Sequence, residues 1–332
     1  MKVLVTGGSG FIASHCLKTL LARNHTVVTT VRSAEKGEKI LAAYPESSKG
    51  QLSYVVVPDI AQEHAFDQAI ISEPPFDAIL HTASPFHFNF QDPKELLDPA
   101  INGTKGILCA IKEKAPSVKR VVITSSFAAI VNPDGHPDVY SEDSWNTVTY
   151  EEGIEDRGKT YRASKALAER AAWSFMEEEK PGFSLATICP PYVFGPPIHV
   201  PESQKALNTS NAYFAMLMHG GWKEKLPPTG TWLWVDVRDI ALAHVRAMEV
   251  PEAAGKRFFT TAGHFDMKEV AEIAQKRFPE YADKLPTELT SDKPSALYGC
   301  DNSRSKEILG LEYLPLESSV VDTIKFLQSH QI

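Results

Sequence analysis

The sequence predicts an α/β fold with a doubly wound parallel sheet, and three observations lead to that fold class. Short β-branched and apolar runs alternate with segments of helical periodicity over the first 190 residues. The segments between successive runs are long enough for crossover helices, which parallel strands require. A glycine cluster at residues 7–10 marks a tight turn between the first strand and the first helix. Together these patterns are typical of a sheet with helices on both faces.

Each predicted element follows from its local pattern of apolar residues. The predicted strands, rich in Val, Ile and Thr, are residues 3–5, 26–31, 52–57, 78–81, 120–124 and 183–189. The predicted helices, each with an apolar face, are residues 11–21, 93–114, 161–178, 239–249, 267–278 and 316–328, with another starting near residue 35. Residues 128–159 are polar and contain prolines and glycine, so we predict a long excursion with little regular structure.

Residues 7–13, Gly-Gly-Ser-Gly-Phe-Ile-Ala, join the first strand to the first helix. Glycine lets the backbone approach a ligand closely, and the free N–H groups at a helix start attract a pyrophosphate. The spacing fits a Gly-x-Gly-x-x-Ala pattern starting at Gly8 and a Gly-x-x-Gly-x-x-Ala pattern starting at Gly7, which differ in the glycine that makes the turn. The dinucleotide contacts predicted here are Gly7, Gly10, Phe11 and Ile12.

The end of the second strand indicates which dinucleotide binds. An Asp or Glu at this point holds the ribose 2′-hydroxyl of NAD, whereas an arginine accommodates a 2′-phosphate. This strand is followed by Arg32 and then Lys36, and the first acid, Glu35, already belongs to the next helix. Most Lys and Arg side chains are simply solvated surface charges, but the position of these two favours a phosphate. We therefore predict NADP(H) as the cofactor, with Arg32 and Lys36 as contacts.

Three further strand ends add residues to the same pocket, because ligands of such sheets collect outside the carboxyl ends of the strands. Asp59 and Ile60 follow the third strand, where Asp59 is expected to meet the adenine edge. The small residues 82–84 follow the fourth strand and let the cofactor backbone lie close. The cofactor contacts predicted at these two ends are Asp59, Ile60, Thr82, Ala83 and Ser84. A serine pair, Ser125-Ser126, follows the fifth strand.

The composition changes after Gly195, where prolines and scattered tryptophans accompany short helices. We predict a cofactor-binding domain over residues 1–190 and a smaller C-terminal domain, mainly substrate-binding, over residues 191–332. Residues 233–262, which begin with a further strand pattern, are predicted to rejoin the first domain.

The composition also limits the kinds of partner. The chain has 332 residues and a net charge of −8, which argues against nucleic acid or an anionic membrane surface. Its four cysteines form no CxxC pair and its 11 histidines show no metal-ligand spacing, so no metal is predicted. No apolar run approaches the length of a membrane span, and we expect no leader before the first strand. We expect a soluble, cytoplasmic protein, with a homodimer as a possible assembly.

Tyr161 and Lys165 lie four residues apart in a predicted helix, so their side chains share one face. The usual pKa of tyrosine, about 10, is too high for efficient proton transfer near neutral pH, and a neighbouring ammonium lowers it. The spacing by itself arises by chance in a chain with ten tyrosines. The order of glycine turn, serine pair and Tyr–Lys pair on an α/β pattern is what favours a catalytic role over a surface pair.

Further motifs accompany these features. They are Val-Pro-Asp-Ile at 57–60, His-Thr-Ala-Ser-Pro-Phe at 81–86, Asn-Gly-Thr-Lys-Gly-Ile-Leu at 102–108, Thr-Ser-Ser at 124–126, Tyr-Val-Phe-Gly-Pro at 192–196 and Asp-Val-Arg-Asp at 236–239. The whole set resembles the extended short-chain dehydrogenases/reductases, in particular the fungal NADPH-dependent aldehyde and ketone (methylglyoxal-type) reductases and the dihydroflavonol reductase-like proteins. The resemblance implies a Rossmann fold, a catalytic role for the second serine, Ser126, and cofactor contacts at Pro190 and Val193.

The resemblance implies carbonyl reduction, in which NADPH delivers hydride to an aldehyde or ketone. Ser126, Tyr161 and Lys165 are then the catalytic residues: Tyr161 donates the proton and Ser126 hydrogen-bonds the carbonyl oxygen. Lys165 lowers the pKa of Tyr161 and, like Tyr161, contacts the nicotinamide side of the cofactor. Aromatic residues beside the motifs predict an apolar substrate pocket, although some of them are expected to be core. The pocket residues predicted are Phe86, Phe127 and Tyr192.

Two alternatives share parts of this pattern. A nucleotide-sugar epimerase or dehydratase has the same fold and Tyr–Lys pair. A dehydratase needs extra acid/base groups near the serine, where this chain has Phe-Ala-Ala at 127–129, and an epimerase keeps NAD bound, which Arg32 disfavours. A non-catalytic dinucleotide sensor could lose Ser126, Tyr161 or Lys165, and all three are present.

Overall fold

A seven-stranded parallel sheet forms the centre of the computed structural model, which describes residues 1–84, 90–201 and 207–332. In chain order the strands are β1 (Lys2–Thr6), β2 (Thr26–Val31), β3 (Leu52–Val56), β4 (Ala78–His81), β5 (Arg120–Thr124), β6 (Val139–Tyr140), β7 (Ser184–Cys189), β8 (Tyr192–Phe194), β9 (Leu233–Asp236), β10 (Lys256–Phe259), β11 (Gly263–His264) and β12 (Gly299–Cys300). The central sheet has the order β10-β7-β5-β4-β1-β2-β3. The strand order reverses between β1 and β4, and at such a point the loops above the sheet diverge and leave a crevice.

Helices cover both faces of this sheet. The helices of the described residues, including those of the smaller unit, are α1 (Phe11–Ala22), α2 (Ala34–Ala43), α3 (Lys94–Lys114), α4 (Tyr150–Glu155), α5 (Arg157–Glu179), α6 (Thr209–Met218), α7 (Val237–Glu249), α8 (Met267–Arg277), α9 (Ser303–Leu309) and α10 (Leu316–Ser329). Successive side chains of a strand point to opposite faces. Val3 and Val5 accordingly pack in one core with α1 and α7, whereas Leu4 packs in the other with α3 and α5. The predicted doubly wound parallel sheet is confirmed.

A smaller unit with its own core follows β7. Strands β11, β9 and β8 form a three-stranded sheet, and α6, α8 and α10 pack around it. The centre of this unit is aromatic: the Phe194 ring lies edge-on to Phe214 and to Phe265, with ring centroids 5.3 and 5.0 Å apart. Trp222 is fully buried in the same core.

Two local predictions need correction. Residues 233–262 were predicted to rejoin the first domain, and of these α7 packs in its core and β10 pairs with β7 at the edge of the large sheet. The opening strand of this range, β9, pairs with β8 and β11 instead, because the chain has already left the large sheet at β8. The excursion over residues 128–159 also holds more regular structure than predicted. A reciprocal cap between Thr149 and Glu152 starts α4, and Asp156 caps α5 at Gly158, four residues earlier than predicted.

Within the described ranges, no helix is both long and apolar enough to cross a membrane. The same residues contain no group of three or more His, Cys, Asp or Glu side chains arranged to hold a metal ion.

Candidate active site

Gly7 makes the turn between β1 and α1. Its φ is +75°, a conformation that favours glycine, and a Cβ built on it would lie 3.1 Å from the Cα of Ala83. Its N–H donates to Thr30 Oγ1 at 3.0 Å, and Gly10 N–H donates to the Gly7 carbonyl at 2.8 Å. Of the two glycine spacings that the sequence allows, the structure therefore adopts the one that starts at Gly7. Gly8 has a different role, since a Cβ there would lie 2.1 Å from Thr29 Oγ1.

The start of α1 is built to receive an anion. Gly10 is its N-cap and provides no side-chain cap, and the first turn contains no acidic residue. The 12-residue helix thus directs the backbone N–H groups of Phe11 and Ile12 beyond its end, where the helix dipole favours negative charge. This arrangement fits the pyrophosphate of a dinucleotide.

The predicted 2′-phosphate contacts lie on the surface at the end of β2. Arg32 and Lys36 are both exposed. Ser33, between them, caps α2 by accepting from Lys36 N–H at 3.5 Å, which orients the first turn that carries Lys36. In the part of the chain that the structure describes, the Arg32 side chain has no carboxylate partner. Two cations without a matching acid at this point suit a phosphate monoester.

The ends of β3 and β4 lie on the same side of the sheet. Asp59 is exposed and accepts from Ala61 N–H at 2.9 Å, so its carboxylate also shapes the turn around Ile60. At the end of β4, Thr82 Oγ1 donates to the Thr6 carbonyl at 2.5 Å and Ala83 N–H donates to Thr6 Oγ1 at 3.0 Å. These bonds hold residues 82–84 against the glycine turn, as expected for a cradle beneath a cofactor.

Ser126 and Tyr161 come together. Ser126 caps a short 3₁₀ turn after β5, its Oγ accepting from Ala128 N–H at 3.1 Å, and the same side chain hydrogen-bonds the Tyr161 hydroxyl. Burial raises the pKa of Tyr161, and the bond with Ser126 only partly opposes that rise. The expectation that Lys165 lowers this pKa is not met here. The ammonium of Lys165 instead lies against Ser84, donating to its Oγ at 3.0 Å.

Lys165 is a buried lysine. Burial lowers its pKa to about 8, and the charge of Glu169, one helical turn further on, opposes that decrease. Lys165 thus titrates close to neutral pH instead of near 10.5. Since Ser84 follows β4 and Ser126 follows β5, four of the predicted residues meet at neighbouring strand ends: Ser84, Ser126, Tyr161 and Lys165.

The predicted pocket residues divide into three cases. Phe127 is 2% exposed and stacks on Phe259 with ring centroids 5.2 Å apart, so the prediction that its side chain lines a pocket is wrong. The 3₁₀ turn that begins at Ser126 points the next side chain into the core. Tyr192 is only partly buried, and its hydroxyl bonds to Tyr213 and lies near Tyr161. Phe86 lies outside the described residues.

Pro190 and Val193 occupy the backbone next to this site. Pro190 is buried, and its carbonyl accepts from Phe127 N–H at 2.8 Å, which ties the end of β7 to the serine turn. Val193 is partly buried in β8. A separate polar cavity of about 330 Å³ lies at the start of α5, lined in part by Asp134, Lys159 and Arg162, and none of the predicted site residues lines it.

Sequence reasoning missed two residues here. Glu169 lies four residues after Lys165 on α5 and is buried beneath the site. The repeat of four residues from Tyr161 through Lys165 to Glu169 was the signal that could have found it. Tyr213 on α6 approaches Tyr192 edge-on at a centroid distance of 6.4 Å, and no local pattern marks it.

Residues 3–260 match the family described as the NAD dependent epimerase/dehydratase family. The chain belongs to this family. Within it, the extended short-chain dehydrogenase/reductase resemblance is confirmed by relatives that align over nearly the whole chain. A ketoreductase of Aspergillus niger is 51% identical over 327 residues, covering 97% of this chain and 96% of the relative. The NADPH-dependent methylglyoxal reductase of Saccharomyces cerevisiae is 38% identical over 338 residues, covering 97% of each chain.

Solved structures agree with this family assignment. The crystal structure of Gre2 from Candida albicans in complex with NADPH superimposes with a TM-score of 0.93 at 36% identity, covering all of both chains. The agreement includes the sheet and the smaller unit, because the superposition spans both.

Proposed function

We propose that this protein is an NADPH-dependent carbonyl reductase that converts aldehydes or ketones to alcohols. The observation that carries the proposal is the meeting of Ser126, Tyr161 and Lys165 at the carboxyl ends of β4 and β5, with the Tyr161 hydroxyl bonded to Ser126. Relatives named as a ketoreductase and as an NADPH-dependent methylglyoxal reductase support the same reaction class.

The cofactor is NADP(H), and the residues present fit it. The uncapped start of α1 and the Gly7 turn suit the pyrophosphate, and Arg32 with Lys36 suits the 2′-phosphate. The remaining contacts proposed are Gly10, Phe11, Ile12, Asp59, Ile60, Thr82, Ala83, Ser84, Tyr161, Lys165, Pro190 and Val193.

Bound NADPH supplies the hydride for the reaction. The protein positions the carbonyl oxygen between the hydroxyls of Ser126 and Tyr161, which lie within hydrogen-bond reach of each other. Because burial keeps the pKa of Tyr161 high, the phenol holds its proton until negative charge develops on that oxygen, and then donates it. The Lys165 ammonium, which donates to Ser84 Oγ, is proposed to contact the nicotinamide side of the cofactor. Ser126 stays a donor to the same oxygen throughout.

The substrate pocket is proposed to include Tyr192 on the side of the smaller unit, together with Phe86. Tyr192 supports this because its hydroxyl lies near Tyr161 and its side chain is not fully buried. Residues 191–332 are proposed to supply most of the remaining pocket. The relatives named for methylglyoxal and isovaleraldehyde point to small carbonyl compounds as the first to test.

The deciding experiment follows the absorbance of NADPH and of NADH with a panel of aldehydes, α-keto esters, diketones and aryl ketones. Wild type is compared with Tyr161→Phe, which keeps the ring and removes the proton donor. We expect turnover with NADPH that falls by about 10²- to 10⁴-fold in the variant. Absence of turnover with every carbonyl compound, together with NAD retained through purification, would favour the epimerase alternative and sink the proposal.

The cytoplasm is the proposed location, in keeping with cysteines that are all free. A homodimer is the proposed assembly, to be checked by light scattering.

A further inference from the structure

We propose that Glu169 is a positioning residue for the reduction. In this view its buried carboxylate fastens the serine turn that presents Ser126 to the helix that carries Tyr161 and Lys165. The inference rests on the proposed function, because it assigns Glu169 a role through those three residues. Glu169 belongs to none of the motifs that identified the site.

The helix places Glu169 directly beneath the catalytic pair. Tyr161, Lys165 and Glu169 are spaced by four residues along α5, so they share one face. Glu169 lies about 12 Å from Tyr161 along the helix axis, at a rise of about 1.5 Å per residue. It is 2% exposed, so its carboxylate depends on protein groups for its hydrogen bonds.

The first of these groups belongs to the serine turn. Ser125 Oγ donates to Glu169 Oε2 at 2.5 Å, and the next residue, Ser126, bonds to Tyr161. Two consecutive serines therefore contact α5 about two turns apart. A shift of the helix relative to this turn would disturb both contacts. The Ser125–Glu169 bond therefore fixes the position of α5 relative to the serine turn, and with it the geometry of the Ser126–Tyr161 bond.

Side chains of the central sheet also donate hydrogen bonds to the Glu169 carboxylate. Thr187 Oγ1 of β7 donates to Oε1 at 2.7 Å. Arg257 of β10 donates through Nε to Oε1 at 2.8 Å and through Nη2 to Oε2 at 3.2 Å. Burial alone would raise the pKa of Glu169, but Arg257 and the hydroxyls of Ser125 and Thr187 outweigh it and keep the pKa below its usual value. Glu169 is thus an ionised group at neutral pH.

Arg257 is fixed by contacts of its own. Its guanidinium lies 3.5 Å from the centroid of the Trp145 ring, and its Nη1 donates to the carbonyls of Glu142 and Ser144 at 2.5 and 2.8 Å. Arg257 thereby connects the segment before α5 to β10 at the edge of the sheet, while the same guanidinium forms the ion pair with Glu169. Glu169 consequently joins four parts of the chain: the serine turn, α5, β7 and β10.

The charge of Glu169 also acts on Lys165. The titratable groups that face this lysine among the described residues are Tyr161 and Glu169 from α5 and His81 from β4, with Arg257 behind Glu169. Burial lowers the pKa of His81 to about 3, so this ring is neutral at pH 7. The carboxylate therefore provides the negative charge that favours the ammonium form of Lys165.

The test compares two hydroxyl deletions at one carboxylate. Ser125→Ala removes the bond to the serine turn, whereas Thr187→Val removes a bond of similar length that does not touch that turn. We expect Ser125→Ala to lower kcat by about tenfold, the scale of a small misplacement of catalytic groups, with the KM for NADPH changed by less than about twofold. The kcat of Thr187→Val is expected to stay at least about fivefold above that of Ser125→Ala.

A third variant, Glu169→Gln, reports on the charge. Without the negative charge of Glu169, Lys165 loses its proton more easily, so the alkaline fall of kcat/KM should move to lower pH. If Glu169 had only a structural role, the pH of this alkaline fall would not change. If Glu169→Gln does not fold, the Ser125→Ala and Thr187→Val pair decides.

Equal falls in kcat for those two hydroxyl deletions, in step with equal falls in melting temperature, would overturn the inference. So would wild-type kcat in Ser125→Ala. Ser126→Ala and Tyr161→Phe serve as references: if both retain full activity, the proposed function itself has failed, whereas their inactivity beside a normal Ser125→Ala rejects only the role of Glu169.

Discussion

The Lys165 ammonium donates a 3.0 Å hydrogen bond to Ser84 Oγ, and this contact joins α5 to the carboxyl end of β4. The two residues are 81 positions apart and were predicted for the site from separate motifs. The pKa of Tyr161 is set instead by burial, which raises it, and by the hydrogen bond with Ser126, which lowers it. The same bond between Lys165 and Ser84 gives the lysine a fixed position at the carboxyl end of β4.

Activity should depend on the protonation of Lys165. Burial lowers its pKa to about 8, so the ammonium form is lost as pH rises through that value, while Tyr161, whose pKa is raised, still holds its proton. We expect kcat/KM to fall above about pH 8. In Lys165→Gln the plateau should be lower and this limb absent. A profile that stays flat to pH 10 in wild type would contradict this assignment.

Arg32 should set the preference for NADPH. Arg32→Ala is expected to raise the KM for NADPH about tenfold, equivalent to about 1.4 kcal/mol, and to leave the KM for NADH within about twofold, because only NADPH carries the 2′-phosphate. Arg277→Ala, at an exposed arginine on α8, is the matched control and should change neither value. Equal effects of Arg32→Ala on the two cofactors would place the phosphate elsewhere.

Phe127 and Tyr192 should behave differently although both are aromatic neighbours of the site. Phe127→Ala removes a ring packed against Phe259 and should lower the free energy of unfolding by about 3–5 kcal/mol. Tyr192→Phe removes only one hydroxyl and should lower the free energy of unfolding by less than about 2 kcal/mol. It should, however, change the KM for carbonyl substrates. Urea unfolding and steady-state kinetics separate the two. Altered substrate preference in Phe127→Ala without loss of stability would contradict the core assignment.

Asp239 should make the fold less stable as pH rises. It is buried on α7, and its pKa is raised to about 7, mainly by burial and to a smaller extent by repulsion from Asp236. The hydrogen bond from Leu314 N–H lowers the pKa but does not cancel this rise. Between about pH 4 and pH 7 the folded state binds the proton more tightly than the unfolded state, so the stabilisation present below pH 4 is lost as pH rises through 7.

The Asp239→Asn substitution should remove this dependence of stability on pH. At pH 8 the free energy of unfolding of the variant should exceed that of wild type by up to a few kcal/mol. Urea unfolding at pH 5, 6, 7 and 8 measures the difference, and Asp283→Asn at an exposed position is the control. A constant difference between Asp239→Asn and wild type over this range would mean that Asp239 is ionised throughout.

The large sheet and most of its strands could be predicted from local sequence, because buried parallel strands are continuous apolar runs. The bounds of β2, β4 and β5 agree with those predicted. The Tyr161 and Lys165 pair was predictable for a similar reason, since a spacing of four on a helix guarantees a shared face. NADP(H) could be predicted from Arg32, because that prediction uses only the position of an arginine directly after the second strand.

Pairings between distant segments were decided only by the tertiary structure. Local pattern gave β9 as a strand and did not mark β10, and it is β10 that reaches β7, because the chain has already left the large sheet at β8. Phe127 looked like a pocket residue because it follows Ser126, and the direction of its side chain depends on a 3₁₀ turn that the sequence does not mark. The role of the Glu169 carboxylate depends on three distant groups that only the fold brings to it: Ser125 from the turn after β5, Thr187 from β7 and Arg257 from β10. Sequence spacing fixes neighbours along one helix, whereas hydrogen-bond partners across elements exist only after packing has brought their backbones together.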